Sequence, residues 1–299
     1  MTTAFVLTGG GSLGAVQVGM LQALAERGTR PDVLVGTSVG ALNAGFVAGH
    51  GWNPSSLDEL DRVWRSLRRR DVFPGWPHHQ LFAALGNRPS LFSNRGLRRL
   101  IEEHLRFTRL EDAAIPLHVI ATNELDGSDV VLSSGDAVEG VLASAAIPAL
   151  FPPIERDGMV LVDGGIANNA PISHAAALGC DHVVVLPTGF SCSLERAPAT
   201  PLAHALHALT LLVQQRLVLD IAHYAERLDL CVVPPLCPLS ISPADFRFSG
   251  SLIDRARHAV GEWLDDRDTQ PVHERCTAIQ THHAGASHPI PLAVGAATH

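Results

Sequence analysis

Short apolar runs alternate along this chain with longer stretches in which apolar residues recur every three or four positions. Ala4-Phe5-Val6-Leu7 is a run of strand length that stops at Gly9. Behind it, Val16, Met20, Leu21 and Leu24 fall at helical spacing within 15–27. Pro31 and Asp32 lead into a second apolar run, Val33-Leu34-Val35, which ends at Gly36 before a small-residue helical stretch through Ala41, Leu42, Ala44 and Val47. Two strands, each followed by a helix, predict the start of a parallel sheet with helices on its faces.

The alternation continues. Leu57, Leu60, Val63, Trp64 and Leu67 predict an amphipathic helix over 55–70, capped by Ser55 or Ser56, with Arg68-Arg69-Arg70 as its solvated C-terminal end. The Pro-, Gly- and aromatic-rich stretch 72–91 reads as loop, and Ser93 as the cap of a helix over 95–107. Runs at 117–121, 130–132, 159–162, 183–186 and 228–233 predict strands. Helical patterns fall at 136–146, 171–178, 201–227 and 251–264. Beyond Asp266 periodicity is lost among His, Pro, Ala, Gly and Thr, which predicts one domain over 1–268 and a poorly ordered tail over 269–299. The tail's His273, His282, His283, His288 and His299 read as solvated residues.

Composition narrows the function classes. Of 299 residues, 46% are hydrophobic and 17% charged, a globular balance. All 22 basic residues are Arg, and the formal net charge is -8, so nucleic acid is not expected as a partner. Five cysteines (180, 192, 231, 237, 276) lack CxxC spacing and read as free thiols in a reducing compartment. The first residues lack the basic segment and cleavage site of a signal peptide, and no apolar stretch reaches ~18 clean residues, so a soluble, cytoplasmic protein is expected.

Two glycine motifs carry the chemistry. Gly9, Gly11 and Gly14 fit GxGxxG between a strand and a helix, the dinucleotide fingerprint in its proper local setting. The fingerprint also needs an acidic residue at the end of the second strand, where this chain has Gly36-Thr37-Ser38. Backbone N–H groups of such a loop suit an oxyanion equally well, and a plain βα turn needs no ligand at all. Gly36-Thr37-Ser38-Val39-Gly40 is GxSxG at a strand-to-helix junction, the setting of a nucleophile elbow. Its position after only the second strand is too early for an ordinary α/β-hydrolase. Asp163, at the end of an apolar run and followed by Gly164 and Gly165, is a candidate base whose burial would raise its pKa, or else an ordinary turn residue.

Taken together, Gly9-Gly10-Gly11-Ser12-Leu13-Gly14, the elbow at 36–40, the block 143–153 (Ala-Ser-Ala-Ala-Ile-Pro-Ala-Leu-Phe-Pro-Pro) and Asp163-Gly164-Gly165 followed by Asn168-Asn169-Ala170-Pro171 resemble the patatin-like phospholipase family. The resemblance implies a three-layer α/β/α sandwich with a mainly parallel sheet, acting as a lipid acyl hydrolase through a Ser-Asp dyad without histidine. Carried over, Ser38 is the nucleophile and Asp163 the base. The loop Gly9, Gly10, Gly11, Ser12, Leu13 and Gly14 supplies the oxyanion hole, with Gly36, Gly40, Gly164 and Gly165 as motif support. No cofactor and no metal are implied. The partners implied are a lipid or other acyl ester and a transient membrane-surface contact.

Leu13 stands where the family commonly has Arg, which implies a preference for less anionic esters. Leu13, Leu150 and Phe151 are candidates to hold the acyl chain, with the 201–227 helix as a possible cover. Two other classes stay open: a nucleotide-binding oxidoreductase using the glycine loop, and a non-catalytic lipid-binding protein of the same fold. A triad reading would bring in His174, eleven residues after Asp163.

Overall fold

The computed structural model describes residues 1–74, 90–189, 197, 199–236, 241–267, 282–283 and 286–287. The tail expected over 269–299 thus lies outside the described residues, save for two dipeptides that pair antiparallel, and so does most of the loop expected over 72–91.

The N-terminal half forms β1 (Thr3–Leu7), α1 (Gly14–Glu26), β2 (Val33–Thr37), α2 (Val39–His50), α3 (Pro54–Ser66), the single turn α4 (Arg69–Val72) and α5 (Arg95–His104). Then come β3 (Leu117–Asn123), β4 (Asp129–Leu132), α6 (Ala137–Ser144), β5 (Ile154–Arg156), β6 (Met159–Asp163) and the short helices α7 (Gly165–Asn168) and α8 (Ile172–Ala177). The remainder is β7 (His182–Leu186), α9 (Pro201–Tyr224), β8 (Asp229–Val232) and α10 (Ser249–Arg267).

β3, β2, β1, β7 and β8 lie side by side and parallel, whereas β4 and β6 run antiparallel to β3, and β5 antiparallel to β6. Side chains alternate between two separate cores, as the pleat demands. From β1, Phe5 and Leu7 enter one core, Ala4 and Val6 the other; from β7, Val184 and Leu186 oppose Val183 and Val185. The larger core is closed by α1, α2, α3, α5, α6 and α10, and the smaller by α8 and α9 through Ile172, Ala175, Leu217 and Ile221. The sheet therefore sits between two helical layers, and its parallel strands, buried on both faces, read in the sequence as unbroken apolar runs.

Several boundaries differ from the sequence reading. α3 is capped not by Ser55 or Ser56 but by Asn53, whose Oδ1 accepts the Ser56 N–H at 3.0 Å, with Pro54 in the first turn. It stops at Ser66, because Leu67 is extended, and Arg68 closes it from outside by donating to the carbonyls of Arg65, Ser66 and Leu67. At α5 the N-cap position is Asn94, whose side chain makes no capping bond, while Ser93 Oγ accepts the Arg95 N–H at 3.3 Å; the helix ends at His104, short of the expected 107. β5, only three residues long, had no sequence signal.

Candidate active site

β3 carries the geometry of the site. On one edge it pairs with β2 through Thr37 opposite Ile120, and with β6 through Asp163 opposite Ala121. Its other edge is taken by β4 over Val119 to Thr122, so β2 and β6 must share the first edge. β2 ascends and β6 descends along that edge, and their C-terminal ends meet on consecutive residues of β3. Ser38 and Asp163, 125 positions apart in the chain, are thereby brought together, with Ser38 Oγ donating to Asp163 Oδ2 at 2.6 Å.

Ser38 sits in the elbow with φ 55 and ψ -125, a strained conformation for a residue with a Cβ. The surroundings hold it there. Its N–H donates to Ser144 Oγ at 2.8 Å, and the Ser144 hydroxyl in turn donates to the Ile120 carbonyl. Gly40 lets the turn pass against the Leu7 carbonyl carbon, 2.5 Å from where a Cβ would stand. α2 begins at the next residue, so its positive end points at the Ser38 hydroxyl.

The Asp163 carboxylate is held at both oxygens: Oδ2 by Ser38 and Oδ1 by the Gly165 N–H at 2.7 Å. Its carbonyl accepts from Thr122 Oγ1, and its N–H donates to the Ala146 carbonyl. Burial pushes the carboxyl up to about 6, outweighing the two hydrogen bonds that favour its ionised form.

The glycine loop follows β1 at the point where the chain's strand order reverses, with β2 on one side and β7 on the other. Its six residues are not equivalent. The Gly9 N–H donates to Asn169 Oδ1, the Ser12 N–H to the Pro243 carbonyl and the Leu13 N–H to the Gly10 carbonyl. The Gly14 N–H turns back to the Gly11 and Ser12 carbonyls. Among the described residues, the N–H groups of Gly10 and Gly11 have no partner, and Gly11 faces the same cavity as Ser38. Gly11 has φ 60, which a glycine adopts without strain.

That cavity is walled by Val39, Leu42 and Phe46 of α2, Leu60 and Trp64 of α3, and Leu97 and Ile101 of α5, with Phe73, Phe151 and Phe246 around them. Of the three residues expected to hold an acyl chain, Phe151 lines it and Leu13 and Leu150 do not. α9 packs on the opposite face of the sheet, so it does not cover this cavity.

The sequence reading missed three further anchors of the loop: Thr188 Oγ1, which donates to the Gly9 carbonyl at 2.7 Å; Asn169; and the Ser242-Pro243 segment. Asn169 lies in the motif quoted for the resemblance, so it was within reach. A backbone carbonyl at 243 leaves no residue-type signal.

The rival readings gain nothing from this geometry. At the end of β2, where a dinucleotide site needs a carboxylate, stand Thr37 and Ser38, and a Cβ on Gly9 would lie 3.0 Å from that of Ser38. His174 instead pairs with Asp129 at 2.8 Å, whose carboxylate also accepts from Asn168. Among the described residues there is no group of His, Cys, Asp or Glu suited to a metal ion, and no helix long and apolar enough to cross a membrane. Cys180 and Cys231 are buried; Cys192, Cys237 and Cys276 lie outside the described residues.

A family model described as "Patatin-like phospholipase" matches residues 5–176. Lysophospholipase NTE1 of Saccharomyces cerevisiae is 30% identical over 191 residues, covering 62% of this chain and 10% of that protein. An uncharacterised NTE family protein of Mycobacterium bovis is 28% identical over 196 residues, 66% of this chain and 51% of that one. The chain thus spans between a tenth and a half of the length of these relatives. Among solved structures, VipD from Legionella pneumophila aligns over 86% of this chain and 67% of its own, with 16% identity and a TM-score of 0.43. Because the match runs from β1 past Asp163 and takes in the glycine loop, the elbow and β6, more than half of the sequence, this chain belongs to the patatin-like phospholipase family.

Proposed function

We propose that this protein is a serine lipid acyl hydrolase that cleaves fatty-acyl esters through Ser38 and Asp163, with residues 1–268 as its catalytic domain. The observation that carries the reading is the 2.6 Å hydrogen bond from Ser38 Oγ to a buried carboxylate, beside two glycine N–H groups that have no partner among the described residues. Family membership supports the ester-hydrolase class, and the name of the yeast relative supports a lysophospholipid as one substrate to try.

An ester enters with its acyl chain along the apolar face of α2 and its carbonyl oxygen toward Gly10 and Gly11. Asp163 takes the hydroxyl proton as Ser38 Oγ attacks the carbonyl carbon, and the N–H groups of Gly10 and Gly11 bind the oxyanion that forms. Collapse of the tetrahedral intermediate breaks the ester bond. The alcohol leaves with the proton that Asp163 held, and the acyl group stays on Ser38. Asp163 then takes a proton from water, whose oxygen attacks the acyl-enzyme, releasing the fatty acid and returning the proton to Ser38. A carboxyl near 6 suits this shuttle better than one near its usual 3.8, since it is ionised at neutral pH yet basic enough to accept a proton. The apolar cavity fits a transient contact with a lipid surface.

Hydrolysis of p-nitrophenyl butyrate by wild type, Ser38→Ala, Asp163→Asn and His174→Ala tests the reading. Turnover is expected to vanish in the first two variants and persist in the third. Turnover that survives Ser38→Ala overturns the mechanism, and a loss in His174→Ala as deep as in Asp163→Asn replaces the dyad with a triad.

A further inference from the structure

Beneath the glycine loop lies a buried polar chain that takes no direct part in the chemistry above. Gln17 on α1 and Asn43 on α2 are 0% and 1% exposed, in a core built mainly of apolar side chains. Polar amides in such a place cost stability unless every donor and acceptor finds a partner.

Here they do, and the partners are telling. Gln17 Nε2 donates to the Thr8 carbonyl at 2.9 Å and to the Leu186 carbonyl at 2.9 Å. Asn43 Nδ2 donates to the Gly14 carbonyl at 3.0 Å and to Gln17 Oε1 at 2.9 Å. Asn43 Oδ1 accepts from Trp64 Nε1 at 2.8 Å. The orientation of both amides is forced: an indole N–H can only donate and a backbone carbonyl only accept, so flipping either amide sets donor against donor or acceptor against acceptor.

Thr8 immediately precedes the loop carrying Gly10 and Gly11, and Gly14 is its last residue. One continuous amide chain therefore grips the loop at both ends and ties it to β7 through Leu186. Its far end is Trp64, whose ring lines the apolar cavity and packs 3.0 Å from where a Cβ on Gly14 would stand.

We infer that Gln17 and Asn43 are positioning residues that fix the Gly10 and Gly11 N–H groups relative to Ser38, and that Trp64 ties this clamp to the wall of the acyl cavity. The inference rests on the hydrolase reading above. A donor displaced by a fraction of an ångström binds the ester ground state almost unchanged but loses much of its hold on the developing oxyanion.

The test uses Gln17→Met, which keeps the side-chain length but removes the amide, and Trp64→Phe, which keeps an aromatic ring but removes one N–H. Active sites are counted by exhaustive labelling with a fluorophosphonate. Each variant's kcat per labelled site is then measured on p-nitrophenyl butyrate, together with inhibition by an alkyl trifluoromethyl ketone, which forms an oxyanion on attack, and by the chain-matched alcohol, which does not. A positioning role lowers kcat per labelled site by ~10-fold, leaves KM within about 2-fold, and weakens the ketone ~10-fold while sparing the alcohol.

A merely structural role lowers the number of labelled sites but not the turnover of each, and that result overturns the inference. If Gln17→Met does not fold, Trp64→Phe decides alone, and unchanged kcat per site with unchanged ketone inhibition refutes it. Wild-type protein that neither labels nor turns over removes the hydrolase reading, and this inference with it.

Discussion

Replacing Asp163 by Asn exchanges a buried carboxylate for a neutral amide of nearly the same shape. In the folded chain the carboxyl is raised from 3.8 to about 6, so above pH 6 the native state holds a charge that burial disfavours. The sign follows from linkage. Between pH 3.8 and 6 the folded state binds this proton more tightly than the unfolded chain, so the contribution of Asp163 to wild-type stability is greatest below this window and is lost as pH rises through it. The full difference is about 3 kcal/mol at neutral pH, at about 1.4 kcal/mol per pH unit. Asn has no such loss. Its Oδ1 can still accept the Gly165 N–H, and its Nδ2 can donate to Ser38 Oγ, which was the donor in the wild type. Asp163→Asn should therefore be inactive and yet more stable than wild type, by about 3 kcal/mol near pH 7.5, about half that near pH 5, and little near pH 4. Urea unfolding at these three pH values measures it. A variant no more stable than wild type at pH 7.5, or a gap that stays constant as pH falls, refutes the burial argument, because the protonation cost would then be absent or carried elsewhere.

Three further outcomes are expected. Because the proposed base must be ionised, kcat/KM on a neutral ester should rise with pH through an apparent pKa near 6; a flat profile from pH 5 to 7 would assign the proton transfer to another group. Ser38→Ala and Ser38→Gly should both be inert, but the glycine variant should be more stable by ~1 kcal/mol, since φ 55 strains any residue with a Cβ; equal unfolding midpoints would deny that strain. The face of α2 from Ser38 to Phe46 is ~12 Å long at 1.5 Å per residue, room for ~10 carbons of extended chain at ~1.25 Å each. Across p-nitrophenyl esters, kcat/KM should therefore climb by up to ~4-fold per methylene and level off near C10, whereas a profile flat from C2 onward would exclude the chain from this cavity.

How far the site could be read from the sequence depends on how local each feature is. The elbow at 36–40 and the loop at 9–14 are each contiguous in the chain, so both were legible as motifs in strand-to-helix settings. The strands of the parallel sheet were legible for a similar reason: buried on both faces, β1, β2 and β7 leave apolar runs that no other element of that length would show. Helix ends were less so, because the cap of α3 depended on whether Asn53 or a nearby serine could aim an oxygen at an open N–H.

The amino-acid order by itself thus determined the alternation of strands and helices, the serine in its sharp turn and the glycine-rich loop beside it. Only the folded chain decided that β6 runs against β3 and meets β2 end to end on one edge, which joins Asp163 to Ser38. It also decided that Ser12, Leu13 and Gly14 spend their N–H groups on backbone carbonyls while, among the described residues, Gly10 and Gly11 do not. The physical reason is common to both. Hydrophobic periodicity records how deeply a residue is buried, whereas strand direction and backbone hydrogen-bond partners are settled by groups every residue carries, and those leave no mark in the order of side chains.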